Sequence, residues 1–417
     1  MQEIKRDIYL NRLVERQGNG SIKVITGIRR CGNSYLLFNL FYNYLLERGI
    51  APGRIIRVAL DAEEFADLQD GKLLGAHVRE RVGTDGLYYI FLDEVQLVPG
   101  FERVLNGLNR LPNVDIYVTG SNSRFLSSDV VTEFRGRGDE VRVQPLSFAE
   151  FLTAYDGSQQ DAWNDYFTYG GLPQILSRHS DAAKSRFLID LFQSVYLRDI
   201  IERKGIRLPE VMGTLVNILA SAVGSLTNPT KLARTFASAG FTGVSDKTLG
   251  SYLASLMDAF IISRAERYDI KGKKYISSPC KYYFCDVGLR NARLNFRQQE
   301  ENHIMENIIY NELLLRGFNV DVGVVETTTN ENRKRIRKQL EIDFVCNQGS
   351  KRYYIQSAFA IPDAAKMQQE QKSLMHIRDS FKKIIVVKDN IKLWRNDFGI
   401  VVMGIQEFLL RQDSLDA

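Results

Sequence analysis

Eight residues, Gly27-Ile28-Arg29-Arg30-Cys31-Gly32-Asn33-Ser34, constrain the fold more than any other stretch of the chain. They follow the apolar run Ile22 to Ile25 and precede a helix-like stretch from Tyr35 to Leu46. Strand, glycine-spaced loop and helix in that order make a phosphate-binding loop. The glycines let backbone N–H groups close around phosphate oxygens, and the helix start adds partial positive charge. Ser34 is the hydroxyl that would hold Mg²⁺. Position 33 breaks the pattern, because the lysine expected to reach the β- and γ-phosphates is Asn33, which donates hydrogen bonds but carries no charge. The expected contacts to ATP are Gly27, Arg29, Arg30, Cys31, Gly32, Asn33, Ser34 and Tyr35.

Without its lysine, such a loop is by itself more often an ordinary turn, so its companions decide. Leu87 to Leu92 is a continuous apolar run of buried-strand type that ends in Asp93-Glu94. Two carboxylates there suit phosphoryl transfer: Asp93 as the Mg²⁺ residue, Glu94 as the group that orients and polarises the attacking water. The alternative is a solvated acidic pair. A further strand, Val114 to Thr119, leads into Gly120-Ser121-Asn122-Ser123, where Asn122 or Ser121 would sense the γ-phosphate. Arg135 and Arg137 flank Gly136, and one of them is a candidate arginine finger reaching a neighbouring subunit, which would imply a homo-oligomer. A plain basic surface turn is the competing explanation.

The segments ITGIRRCG-S, FLDEVQ, VTGSNSRFLSS, FRGR and QPLSFAEF together resemble one family of AAA-type P-loop ATPases of bacteria and archaea. Tyr166 to Pro173 and Tyr196 to Ile200 extend the resemblance over nearly the whole chain. It implies ATP hydrolysis, with Mg²⁺, coupled to movement of a C-terminal region long described as a domain of unknown function. The family's loop ends in GKS or GKT, so Asn33 departs at the position most tied to hydrolysis.

Four cysteines, Cys31, Cys280, Cys285 and Cys346, are too few and too scattered for a disulfide framework, and four histidines show no ligand spacing. No apolar stretch reaches the length of a membrane span, and the first residues lack a signal peptide's apolar core. A cytoplasmic protein with no membrane partner is expected. The net charge is +5, with basic residues concentrated at Lys271-Gly272-Lys273-Lys274 and at Arg333 to Lys338. Such runs bind phosphate backbones, although most are solvated loops.

The expected architecture is α/β: a P-loop, AAA-type parallel-sheet core (1–158), a helical lid (159–222), a winged helix (223–285) and a restriction-endonuclease-like α/β domain (286–417). The winged helix is read from a Pro229–Ala239 helix, a Gly-containing turn, a helix N-capped by Ser245, and two short strands. Asp246, Lys247, Thr248 and Ser251 would be the exposed face of its second helix, the face that enters a DNA groove. DNA is therefore an expected partner, through this helix and the basic loops. The last region resembles the nuclease fold at Glu306 and Asp343, but Gln356-Ser357-Ala358 stands where a Glu-x-Lys is required, so nuclease activity is not expected. The sequence thus predicts an ATPase with impaired hydrolysis or, alternatively, a non-hydrolysing nucleotide-gated module that binds DNA or protein.

Overall fold

The structure, a computed structural model, describes residues 3–120, 134, 136–297, 300–331, 334–361 and 363–416. The chain divides into two compact units. The first comprises Met1–Leu146 with Asp258–Phe260, and the second Ser147–Met257 with Ile261–Ala417.

Unit one is built on five strands: β1 (Ile22–Gly27), β2 (Ile55–Ala59), β3 (Tyr88–Asp93), β4 (Val114–Thr119) and β5 (Gly138–Val143). They lie in the order β2-β3-β4-β1-β5 and every neighbouring pair is parallel. A parallel sheet covered on both faces needs strands that are apolar throughout, and β1 is buried along its whole length. On one face Ile22, Val24, Ile90, Leu92, Ile116 and Val118 pack against Leu74, Val78, Phe101 and Leu105 of two flanking helices. On the other, Phe41 stacks on Phe91 and packs at a tilt against Tyr117, with centroids 5.5 and 4.7 Å apart. Because all strands run the same way, the ends of β1, β3 and β4 lie at one edge of the sheet, where ligands of open α/β sheets bind.

Unit two opens with helices. Ser147 and Glu150 form a reciprocal capping box on the Phe148–Thr153 helix. The Gln159–Tyr169 helix then meets the Val287–Arg293 helix, whose Asn291 amide donates to Thr168 O at 2.9 Å. The unit division at Leu146/Ser147 thus groups residues 159–222, expected as a lid, with the C-terminal region, and falls twelve residues before the expected boundary at 158/159. The segments read as a helix–turn–helix form the helices Pro229–Ser238 and Asp246–Asp258. Asn228 caps the first, accepting from Lys231 N, and Ser245 caps the second, accepting from Thr248 N.

The wing strands, β6 (Ile262–Asp269) and β7 (Lys274–Phe284), do pair as an antiparallel hairpin. They do not stand alone. β6 also pairs in parallel with β8 (Asn319–Glu331), which continues through β9 (Lys334–Gln348), β10 (Lys351–Ala358), β11 (Lys382–Val387), β13 (Val401–Gly404) and the short β12 (Trp394–Arg395). One eight-stranded sheet therefore runs across the expected boundary at 285/286.

Candidate nucleotide site and a buried charge cluster

The Gly27–Ser34 loop leaves the end of β1. A Cβ at Gly27 would lie 2.3 Å from Val143 O and 2.9 Å from Cys31 Sγ, so only glycine lets the loop turn against β5. Gly32 has φ +103°, a conformation that side chains resist. Arg6, outside the motif, fastens the loop: its guanidinium donates to Cys31 O at 3.0 Å and to Gln144 O at 2.7 Å. Arg29, Arg30 and Tyr35 are exposed, whereas Cys31 and Asn33 are buried.

Asn33 does not extend from the loop. Its Oδ1 accepts from the Cys31 thiol at 3.2 Å, and the side chain is 7 % exposed. Burial pushes the Cys31 thiol up to about 12, against a smaller opposing pull from Arg6, so at neutral pH it is a protonated donor and not a thiolate.

Three oxygens converge beside this loop. Ser34 Oγ donates to Asp93 Oδ1 at 3.0 Å, and Thr119 Oγ1, from the end of β4, donates to the same carboxylate oxygen. Burial raises the Asp93 pKa, the Thr119 and Ser34 hydrogen bonds oppose that rise, and neighbouring Glu94 adds to it. A buried carboxylate and a hydroxyl are hard oxygen donors of the kind Mg²⁺ takes, and the cation would relieve the cost of burying the charge. The residues present fit the ion. Glu94 sits at φ +50°, an unusual conformation for a non-glycine residue; its N–H donates to Thr119 Oγ1 at 3.2 Å and its carboxylate accepts from Gln96.

A second group of charges lies in unit two. Lys281 of β7 is 3 % exposed, and its Nζ contacts Glu306 at 2.8 Å, Glu341 at 2.8 Å and Asp343 at 3.4 Å. Tyr283 OH also donates to Glu306, at 2.6 Å, and Ser357 N–H donates to Asp343 at 2.9 Å. Burial lifts the Glu306 carboxyl to about 7, with Lys281 opposing and Asp343 reinforcing the rise. Burial works to lower the Lys281 pKa, but the three carboxylates outweigh it and the net direction is upward. A tethered ammonium thus sits among the three carboxylates. Among the described residues no set of three or more His, Cys, Asp or Glu is arranged to hold a metal ion.

Residues 19–152 match the AAA domain family, and residues 160–300 match a family described as a domain of unknown function, DUF8612. An uncharacterized protein of Haemophilus influenzae is 33 % identical over 414 residues, covering 98 % of this chain and 99 % of that one. This chain belongs to the same family. The uncharacterized protein MJ1544 of Methanocaldococcus jannaschii is 28 % identical over 359 residues, 82 % of this chain and 74 % of its own length. Among solved structures, the Aeropyrum pernix ORC1 protein in complex with DNA matches 70 % of this chain and 92 % of its own, at 13 % identity and a TM-score of 0.31. The AAA match places the first unit among P-loop, AAA-type ATPases.

The structure brings Ser34, Asp93 and Glu94 to one sheet edge. Asn122, Ser121 and Arg135 lie outside the described residues. Arg137 is exposed just before β5, and its carbonyl accepts from Ile22 N at 2.8 Å. Since Ile22 pairs with Gly138 and Gly27 with Val143, Arg137 stands at the opposite end of the sheet from the loop, roughly 17 Å away at 3.3 Å per residue. It cannot serve its own nucleotide site from there. Gln356 was expected to carry no catalytic role. It alternates with Tyr354 and Ala358, which pack with Leu374 and Ile377, while Ile355 pairs with Phe344 on the face toward Tyr310 and the Glu301–Leu315 helix. The 356–358 triplet therefore presents its alternate residues away from Glu306. Sequence inspection missed Arg6, Thr119, Lys281 and Glu341. A polar residue at a strand end could have flagged Thr119, but nothing local marks the other three.

Proposed function

We propose that this protein binds ATP with Mg²⁺ at the Gly27–Ser34 loop, as an AAA-type ATPase whose nucleotide state is coupled to movement of its C-terminal region on a partner, DNA. The convergence of Ser34 and Thr119 on Asp93 beside the loop carries this assignment. Ser34 and Asp93 would hold the cation, which neutralises charge on the phosphates when bound. Glu94 orients the attacking water, and Arg29 and Arg30 bring to the loop the positive charge that Asn33 lacks. Arg135 or Arg137 would act from a neighbouring subunit, which makes the working form a homo-oligomer, and Asn122 would sense the γ-phosphate. The core and lid would keep the roles assigned from sequence, the winged-helix and nuclease-like regions would act as one body built on a shared sheet, and Lys281, Glu306, Glu341 and Asp343 would hold that fold together without nuclease chemistry.

Turnover should be strongly reduced, because no cation extends from position 33 to the transferring phosphoryl group. The burial of Asn33 against Cys31 specifically favours a second function, a nucleotide-gated module that binds ATP without significant hydrolysis and holds DNA or protein. The test is ATP binding and steady-state hydrolysis for the chain and for Asn33→Lys, with and without duplex DNA. The lysine should raise turnover about tenfold or more. Binding by both forms with hydrolysis by neither selects the gated module, and no ATP binding by either removes both.

A further inference from the structure

The two basic runs, separated by some sixty residues of sequence, come together at one end of the eight-stranded sheet. Lys271, Lys273 and Lys274 form the exposed turn between β6 and β7. Parallel pairing of Arg267, Tyr268 and Asp269 with Val322, Gly323 and Val324 lays that turn beside β8, and Lys271 Nζ donates to Glu326 O at 2.6 Å. Beyond this point β8 and β9 continue as a two-stranded ribbon, from Thr327 opposite Lys338 to Glu331 opposite Lys334. Neither strand has another partner strand along that stretch among the described residues. The five residue pairs extend it by about 17 Å. Arg337 and Lys338 are exposed on it, and Tyr275, 60 % exposed, stands beside the lysine turn.

Charge singles out this end of the molecule. Residues 264–274, 326, 327, 337 and 338 together hold seven Lys and Arg against three Asp and Glu, a surplus of four. The whole chain carries only +5, so these residues hold a surplus close to its entire net charge. The N-terminal turn of the Asp246–Asp258 helix, by comparison, offers Lys247 beside Asp246.

We infer that the β6–β7 turn and the β8–β9 ribbon form the surface that grips a nucleic-acid phosphate backbone, with Lys271, Lys273, Lys274, Arg337 and Lys338 as its contacts. A two-stranded ribbon fits a duplex major groove, and a duplex carries one negative charge per about 1.7 Å of axis, so a strip of this length faces several phosphates at once. Such contacts are independent of sequence, and the helix–turn–helix is not the main source of affinity. This rests on the proposal that DNA is the partner, and it places that partner on the protein.

Fluorescence anisotropy with a labelled mixed-sequence DNA duplex tests it, across a salt series, on the full chain. The Lys271→Ala/Lys273→Ala/Lys274→Ala variant should weaken binding about tenfold or more at low salt and flatten the log K against log salt slope by two to three, at roughly 0.9 per phosphate contact. Arg337→Ala/Lys338→Ala should do the same with a slope change of about two. Duplex RNA in a parallel arm shows which nucleic acid is preferred, and poly-glutamate tests an acidic protein partner. Wild-type affinity in both variants, or loss confined to Lys247→Ala, overturns the inference while leaving DNA as partner. Poly-glutamate held as tightly as the duplex overturns it too. ATP binding measured on the same samples separates these failures from failure of the nucleotide site, since the five residues belong to unit two and the loop to unit one.

Discussion

Thr119 performs two tasks with one hydroxyl: it donates to Asp93 and accepts the N–H of Glu94. Removing it should loosen the proposed cation position and the turn that holds the Glu94 backbone, without touching the phosphate loop. Thr119→Val keeps the shape, so its effect isolates the hydrogen bonds. Losing about 1–1.5 kcal/mol of them predicts roughly tenfold weaker ATP binding in the presence of Mg²⁺ and little change in its absence. Calorimetric titration with and without the ion checks this, and an equal loss in both would refute the placement. The loop motif and the acidic pair were legible because each is a contiguous string with one mechanical meaning. Thr119 was not, since its value depends on the register that sets Leu92 beside Val118 and brings the ends of β3 and β4 level. Arg6 was invisible for a similar reason: its two acceptors are 25 and 138 residues away.

Strands were easier to find than their neighbours. The apolar runs of unit one located its buried strands, and Ser245 and Pro229 located the two helices of the helix–turn–helix. What local pattern could not give is that β6 pairs with β8 across more than fifty residues, so that a supposed free wing is part of a larger sheet. The same long-range pairing buries Lys281 among carboxylates drawn from the Glu301–Leu315 helix and β9. Truncating one partner of such a group leaves uncompensated buried charge. Lys281→Met should therefore cost about 3–5 kcal/mol in urea unfolding, with part recovered when Glu306→Gln is added. The pH dependence has a defined sign. Glu306 titrates near 7 when folded against 4.5 as its ordinary value, so between those limits the folded state holds the extra proton. Stability from this group is full below about 4.5 and falls as pH rises through 7. The stability of wild type relative to Glu306→Gln should decline from pH 5 to 8; an advantage that grows over that range would contradict a buried, neutralised carboxyl.

The positive charge that distinguishes the molecule lies in unit two, while the nucleotide loop lies in unit one. If the protein is a coupled machine, ATP and DNA must each alter the affinity for the other, because linkage is reciprocal for binding free energies. The turnover defect proposed for Asn33 would make this measurable, since ATP would then stay at equilibrium on the protein for the duration of a titration. We expect saturating Mg²⁺–ATP to change duplex affinity by about fivefold or more, and saturating duplex to change ATP affinity by the same factor. Asn33→Lys should retain the coupling in the first minutes and lose it as nucleotide is consumed. Equal duplex affinity with and without ATP would show two independent binding units sharing one chain. Unequal factors in the two directions would mean that hydrolysis, and not binding alone, is still setting the apparent constants.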